Sequence, residues 1–240
     1  MIESLLLAAA RVLTCNEDRS LTNASGFFFA RNERLFLVTS RHVMCDPPSD
    51  HFPTRLEIEL HIDANNLVAA TGFSIPLYRS GQSLWHQGKD SASEVDVAVI
   101  EIERPALPTG TTFHAFTPQH LLTTYDAVEA GDSVLIVGFP LGFHDTLHHM
   151  PVVRHAVIAS MFGLRFQGQG YFLTDARTHR GTSGAPVVMR NPDPSNAELP
   201  WLLLGIHSSR LDVGSRDEHL DEALGLNCAW YADILLALTN

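Results

Sequence analysis

The feature that most constrains the fold is a succession of short apolar runs along the 240 residues. The runs are rich in Val, Ile and Phe, several alternate apolar and polar side chains, and clusters of Gly, Pro, Asn or Asp separate most of them. Examples are GFFFAR, RLFLVTS, RLEIELHI, DVAVIEIE, DSVLIVGFP and WLLLGIHSS. Because helical spacers of about 10–15 residues do not alternate with these runs, the pattern predicts an antiparallel all-β fold, either a sandwich or a barrel.

A break in this pattern divides the chain. The stretch TPQHLLTTYDAVEAGD, between about residues 110 and 131, lacks strand character, and a comparable set of strands lies on each side of it. We therefore expect two packed β-units. Apolar spacing predicts a short helix at each end of the chain: one over about residues 2–14, from Leu5, Leu6, Ala9, Val12 and Leu13, and one over about residues 228–238, from Trp230, Ile234, Leu235 and Leu238.

Charge and cysteine content exclude several classes of function. The chain has 16 basic and 27 acidic residues, a net charge of −11, which argues against nucleic acid or an anionic membrane as the main partner. Its three cysteines are odd in number and widely spaced, so neither a disulfide framework nor a CxxC metal site is expected. The N-terminal apolar run lacks a basic region, and no run approaches the about 20 apolar residues that span a bilayer. We expect a cytoplasmic protein.

The segment HRGTSGAPVV, His179 to Val188, presents a serine between two glycines immediately before an apolar run. A serine on such a tight bend before a buried strand is typical of a nucleophile positioned by its backbone. Ser183 then requires a base, an acid that orients the base, and donors for an oxyanion.

Two residues elsewhere fit the roles of base and acid. His42 follows the strand-like run RLFLVTS, and Asp96 precedes the run VAVI. Taken singly, a histidine at a strand end is more often structural, and an aspartate there more often initiates the strand. The order His42, Asp96, Ser183 makes the combination informative.

The blocks VTSRHV, DVAVIEI and GTSGAPVV resemble the three catalytic blocks of the trypsin-like, or chymotrypsin-fold, serine endopeptidases. The likeness is strongest to bacterial members without disulfides, the glutamyl endopeptidases and HtrA-like proteases. GDSVLIVGFPLG also resembles the opening strand of that family's second barrel, and the resemblance extends over about residues 22–212. It implies two packed six-stranded antiparallel β-barrels, over about residues 22–115 and 128–212, with the site in the seam.

The resemblance also implies roles for the site residues. Ser183 would attack a peptide carbonyl, His42 would relay its proton, and Asp96 would orient the imidazole. The backbone N–H groups of Gly181 and Ser183 would form the oxyanion hole. Two positions depart from the digestive enzymes: Thr182 replaces an aspartate, which argues against activation by N-terminal cleavage, and Ala185 replaces a glycine.

For substrate recognition, Thr178 and His207 resemble the threonine and histidine of relatives that cleave after Glu or Gln. Both can donate hydrogen bonds to a side-chain carbonyl oxygen. A core histidine satisfied by the backbone is the alternative reading of His207.

We expect no cofactor and no metal. His144 and His148, with Asp145 nearby, would suit zinc only on a helix, and the surrounding sequence favours a loop. The expected partners are a protein or peptide substrate and, because the chain lacks a zymogen switch, a regulatory protein. The alternative to a peptidase is a catalytically silent module of the same fold that acts in protein–protein interaction.

Overall fold

The computed structural model describes residues 3–17, 19–90, 94–193, 198–210 and 225–240. Within these residues the chain is mainly β-strand, with two short α-helices and several 3₁₀ turns. The helices are α1, Arg41–Met44, and α2, Leu235–Leu238. The strands of the N-terminal half are β1 Ala9–Asn16, β2 Arg19–Arg31, β3 Arg34–Thr39, β4 Arg55–His61, β5 Ala70–Pro76, β6 Tyr78–Arg79, β7 Gln82–Ser83, β8 Trp85–Lys89 and β9 Glu94–Ile102. Those of the C-terminal half are β10 Ser133–Gly138, β11 Val152–Ile158, β12 Tyr171–Asp175, β13 Pro186–Arg190, β14 Trp201–Arg210 and β15 Leu226–Tyr231.

The N-terminal half forms a seven-stranded antiparallel sheet in the order β5-β4-β1-β2-β3-β9-β8. Strand β4 shows the expected alternation, because Leu56, Ile58 and Leu60 are buried while the two glutamates between them are half-buried. The very short strands β6 and β7 pair only with each other, as a separate hairpin between β5 and β8.

The C-terminal half forms a closed barrel in the order β10-β11-β12-β15-β14-β13. The all-β prediction is confirmed, and one of the two expected six-stranded barrels is present. The other unit differs from the expectation, since β8 adds a seventh strand and β5 and β8 stand at opposite ends of the sheet order.

The N-terminal helix expected over about residues 2–14 is wrong for most of its length. Only Leu6–Ala8 form a 3₁₀ turn, and the chain then enters β1 at Ala9. Val12 lies opposite both Ala24 of β2 and Ile58 of β4. Pairing on both edges satisfies the backbone of β1, and packing buries Ala10, Val12 and Thr14 on one face, which together outweigh the helical spacing of its apolar residues.

The C-terminal helix expected over about residues 228–238 is confirmed only for its last turn, α2. Residues 226–231 instead form β15, which pairs with β12 and β14 and completes the barrel. The second unit therefore continues to the end of β15, beyond its expected end near residue 212. Residue 212 itself lies outside the described residues.

Three apolar clusters form the core. One fills the N-terminal sheet, around Leu35, Leu37 and Leu56, and another fills the barrel, around Ile136 and Phe172. The third combines side chains of both halves and includes Phe27, Phe29, Val97, Val137, Phe139 and Ile206. This third cluster, the seam core, joins the two units.

Among the described residues, none of the helices has the length and apolar character needed to cross a membrane.

Candidate active site

His42 and Asp96 meet because two antiparallel strands pair. Thr39, at the end of β3, lies opposite Ala98 of β9, so the residues just after β3 face the start of β9. His42 lies in the single turn of α1, where its backbone N–H donates to Asp96 Oδ1 at 2.9 Å and its Nδ1 donates to Oδ2 at 2.7 Å. Two hydrogen bonds to one carboxylate fix both the position and the ring plane of His42.

This pairing sets the protonation of both groups. Burial alone lowers the pKa of His42, but the hydrogen bond and negative charge of Asp96 outweigh it, so the net shift is upward. Burial alone raises the pKa of Asp96, but the contacts with His42 and Ser208 outweigh it and lower that pKa. Asp96 is therefore a carboxylate at neutral pH, and with Nδ1 protonated the neutral imidazole keeps its lone pair on Nε2.

Ser208, on β14, is a site residue that the sequence reasoning missed. Its hydroxyl donates a short hydrogen bond to Asp96 Oδ2, and its side chain is almost fully buried. The only local clue is the pair of serines that follows GIH near the end of a strand-like run.

Ser183 lies in the loop between β12 and β13 and donates its hydroxyl to the carbonyl of Ser208 at 2.9 Å. Ser208 thus contacts both Asp96 and Ser183. Among the described residues, no hydrogen bond joins Ser183 to His42 directly. Catalytic hydrogen bonds are often long or absent without substrate, and rotation about one side-chain bond changes the direction of a serine hydroxyl.

The loop around Ser183 also offers two backbone donors. In the described structure, the N–H groups of Gly181 and Ser183 donate to no acceptor. Gly181 has φ +91°, and a Cβ there would approach the Phe139 carbonyl oxygen to 2.6 Å, so only glycine fits. Ala185 keeps its φ outside the left-handed region, so replacing glycine at this position does not strain the bend.

Ser25 of β2 ties this loop to the N-terminal sheet, a role that the sequence did not indicate. Its backbone N–H donates to the Ser183 carbonyl at 2.9 Å, and its hydroxyl donates to the Gly181 carbonyl at 2.7 Å. The same hydroxyl accepts the Phe139 N–H at 2.9 Å. Ser25 therefore connects the first sheet, the loop carrying Ser183 and the chain just after β10.

Thr178 and His207, the expected recognition residues, are both buried. The Thr178 hydroxyl donates to Asn227 Oδ1 at 2.5 Å, and Asn227 is held by donating its Nδ2 to the carbonyls of Ala176 and Gly225. His207 Nδ1 is buried without a hydrogen-bond partner in the described structure. Burial, assisted by the nearby charge of His42, lowers the pKa of His207 to about 4, so this imidazole is neutral at pH 7.

The segment containing His144 and His148 is a loop, as expected, rather than a helix. His148 Nδ1 donates to Asp145 Oδ2 at 2.8 Å within a turn. The spacing of four residues therefore does not place His144 and His148 on one helical face.

The sequence matches the family described as "Trypsin-like peptidase domain" over residues 24–191. Comparison with curated proteins finds no significant match.

Several solved structures share the fold. The serine endoprotease from Yersinia pestis is 16% identical with a TM-score of 0.57, over 98% of this chain and 62% of that one. The active form of the Rv3671c protease from M. tuberculosis is 12% identical with a TM-score of 0.52, over 98% and 80%. A scabies mite inactivated protease paralogue is 17% identical with a TM-score of 0.59, over 99% and 94%. The chain thus spans 62% of the length of the Yersinia protein, and these neighbours include both active and inactivated proteases.

Proposed function

Because the chain belongs to the trypsin-like peptidase domain family, we propose that it is a serine endopeptidase in which His42, Asp96 and Ser183 act as one unit. The observation that carries the proposal is the hydrogen bonding of the Asp96 carboxylate, which accepts two hydrogen bonds from His42 and a third from the Ser208 hydroxyl. The backbone carbonyl of Ser208 in turn accepts a hydrogen bond from the Ser183 hydroxyl. A partly buried, ionised carboxylate that orients a histidine and is linked through Ser208 to a glycine-flanked serine supports acyl transfer chemistry.

The first half of the reaction forms an acyl-enzyme. The Ser183 hydroxyl turns from the Ser208 carbonyl towards His42 Nε2, gives up its proton there, and Oγ attacks the peptide carbonyl carbon. Asp96 stays ionised and stabilises the imidazolium. The oxyanion receives the N–H groups of Gly181 and Ser183, which have no other acceptor in the described structure. His42 then protonates the departing amine as the C–N bond breaks.

The second half repeats these steps with water. Water loses a proton to His42 Nε2 and attacks the ester carbonyl, and the same N–H groups receive the oxyanion. Collapse returns the proton to Ser183 Oγ and releases the carboxylic acid.

For specificity, we extend the proposal to cleavage after Gln in preference to Glu. Because Thr178 donates its hydroxyl hydrogen to Asn227, its oxygen can act towards a substrate only as an acceptor, which suits the NH₂ group of glutamine. His207 is neutral in the free site at pH 7 and can donate one N–H to the glutamine carbonyl oxygen, whereas protonating this buried ring to pair with a carboxylate would carry an additional cost. A buried carboxylate without a cationic partner is strongly disfavoured.

A second candidate function is a module that is silent or that needs a partner protein to become active. The observation in its favour is the Ser183 hydroxyl, which is bonded to the Ser208 carbonyl rather than to His42.

Labelling with a fluorophosphonate, read by intact mass, tests the two candidates. We expect one adduct per chain, lost in Ser183→Ala and retained in Ser74→Ala, which alters an exposed serine on β5. Wild-type protein that is folded by circular dichroism and yet stays unlabelled would support the silent or partner-dependent module.

A further inference from the structure

Three potential metal ligands converge away from Ser183. Glu59 lies on β4 of the first sheet, and His144 and His149 lie in the loop that follows β10 of the barrel. One ligand atom from each of the three lies within 4.8 Å of the other two, and all three side chains are half-buried. Two imidazoles and one carboxylate are a ligand set that zinc commonly takes in proteins.

The separation of His149 and Glu59 matches that of two ligand atoms on one zinc ion. His149 Nδ1 lies 3.4 Å from Glu59 Oε1, yet this buried nitrogen has no hydrogen-bond partner in the described structure. Zinc bonds of about 2.0–2.1 Å in a tetrahedron place neighbouring ligand atoms about 3.3–3.4 Å apart. A metal ion bonded to both atoms would therefore satisfy the nitrogen without moving either side chain far.

The remaining contacts orient the ligands. His144 Nδ1 donates to the Gly142 carbonyl at 2.6 Å, which leaves the Nε2 lone pair for a metal. A ligating histidine usually makes such a bond with its second nitrogen. Arg11 contacts the other oxygen of Glu59, Oε2, at 3.4 Å, so Oε1 stays available on the side of His149.

A small cleft between the two halves borders two of the three ligands. Glu59 and His149 line this cleft, whose apolar wall includes Phe28, Phe113 and Phe139. The Nε2 atom of a neighbouring histidine, His61, is not offered as a ligand, because it forms a hydrogen bond of 2.7 Å with the His148 carbonyl. Three protein ligands leave a fourth tetrahedral position for water.

From these contacts we propose that Glu59, His144 and His149 form a zinc site that joins the two halves of the molecule. The site is distinct from the catalytic residues but is linked to their loop: Leu141, three residues before His144, donates its N–H to the Arg180 carbonyl beside Gly181 at 2.6 Å. Zinc would therefore stabilise the folded chain. It would also restrain residues 141–144, which contact the loop that carries Ser183.

Zinc binding by the full chain tests the proposal. After equilibrium dialysis against ZnCl₂ and removal of loosely held metal, we expect one zinc per chain by mass spectrometry. Zinc at about a hundred times its Kd should raise the Tm by roughly 5–10 °C. Loading with Co²⁺ should give the visible absorption of a tetrahedral site, a readout that is independent of peptidase activity.

Matched variants separate this site from the other histidines. His149→Ala, His144→Ala and Glu59→Gln should each lose the bound zinc and the thermal shift, whereas His155→Ala, at an exposed histidine on β11, should keep both. His149→Gln provides a second variant if the alanine form does not fold. Absence of zinc in the wild type, or full zinc content in a folded His144→Ala/His149→Ala double variant, would overturn the proposal. Neither result depends on whether Ser183 is catalytic.

Discussion

At the scale of single residues, the balance of burial and charge on His42 sets its pKa, and this pKa sets the acidic limit of the proposed peptidase activity. Burial opposes the protonated ring, and Asp96 stabilises it more strongly. A base must be unprotonated, so a raised pKa moves the acidic limit of activity to higher pH. The Asp96 carboxylate thus orients the ring and also raises the pH above which the ring is unprotonated and can act as a base.

This balance predicts the pH titration of His42. In Ser183→Ala protein, the ring proton resonances of His42 should titrate with a midpoint above the ordinary value for histidine. Adding Asp96→Asn removes the charge that raises the pKa and leaves burial, so the midpoint should fall below that value. NMR of the two variants checks this prediction, and an unchanged midpoint would contradict it.

Also at this scale, the hydroxyl direction of Thr178 and the neutrality of His207 predict the choice between glutamine and glutamate. In paired peptides that differ only before the cut, kcat/KM should favour Gln by about tenfold or more at pH 7, as expected when a site built for one polar group meets its analogue. The ratio should shrink as the pH falls, because a protonated Glu resembles the amide. Protonation of His42 affects both substrates equally and cancels in the ratio. A constant preference for Glu across the pH range would refute the assignment.

At the scale of elements, the loop that carries Ser183 is stabilised by hydrogen bonds from a strand of the other half of the chain. Its carbonyls at Gly181 and Ser183 accept hydrogen bonds from Ser25 of β2, which belongs to the other half of the chain. Gly184 adds a close contact, because a Cβ there would come within 2.2 Å of the Ser25 carbonyl oxygen, and its φ is +86°. The geometry of Ser183 therefore depends on the packing of a strand that is distant in sequence.

The role of Ser25 predicts a combined loss of stability and turnover. Ser25→Ala leaves the Gly181 carbonyl and the Phe139 N–H without their buried partner, at about 1–3 kcal/mol for each unsatisfied group. Denaturant unfolding should show this loss, and kcat should fall with little change in KM. The control variant Ser74→Ala should leave the stability and kcat unchanged. Unchanged stability and kcat in Ser25→Ala would instead show that the loop is stabilised by its own residues alone.

At the scale of the whole chain, the seam core joins the sheet and the barrel, so we expect them to unfold as one cooperative unit. Side chains of both halves, including Phe27 and Val97 from the sheet and Phe139 and Ile206 from the barrel side, pack in this single cluster. Neither half can expose its share of the seam core without exposing apolar area of the other.

The shared core predicts a single unfolding transition. In a variant that keeps only Trp85, on β8, and in one that keeps only Trp230, on β15, tryptophan fluorescence and circular dichroism should give the same denaturant midpoint as each other. Phe139→Ala should lower both midpoints together, with a loss of about 3–5 kcal/mol, because its side chain is fully buried. Phe143→Ala, at a side chain that is 69% exposed, should change stability by only about 0.5 kcal/mol or less. Two separate midpoints would show independent units.

Local sequence is enough to predict the β character of the chain, the strand that precedes His42, the strand that begins near Asp96, and the glycine-flanked bend at Ser183. These features are local: alternation of apolar side chains, strand-forming residues and glycines at tight turns are encoded within a few neighbouring positions.

Tertiary contacts, and not local sequence, explain why residues 9–16 form a central strand, why β15 completes the barrel, and why Ser25, Ser208 and Glu59 contact groups that are far away in sequence. Each of these outcomes depends on which segments pair, and pairing is set by burial and backbone hydrogen bonding between strands that are distant in sequence. A buried strand with two paired edges overrides the helical spacing of its own apolar residues, because every backbone N–H and C=O must find a partner once water is excluded.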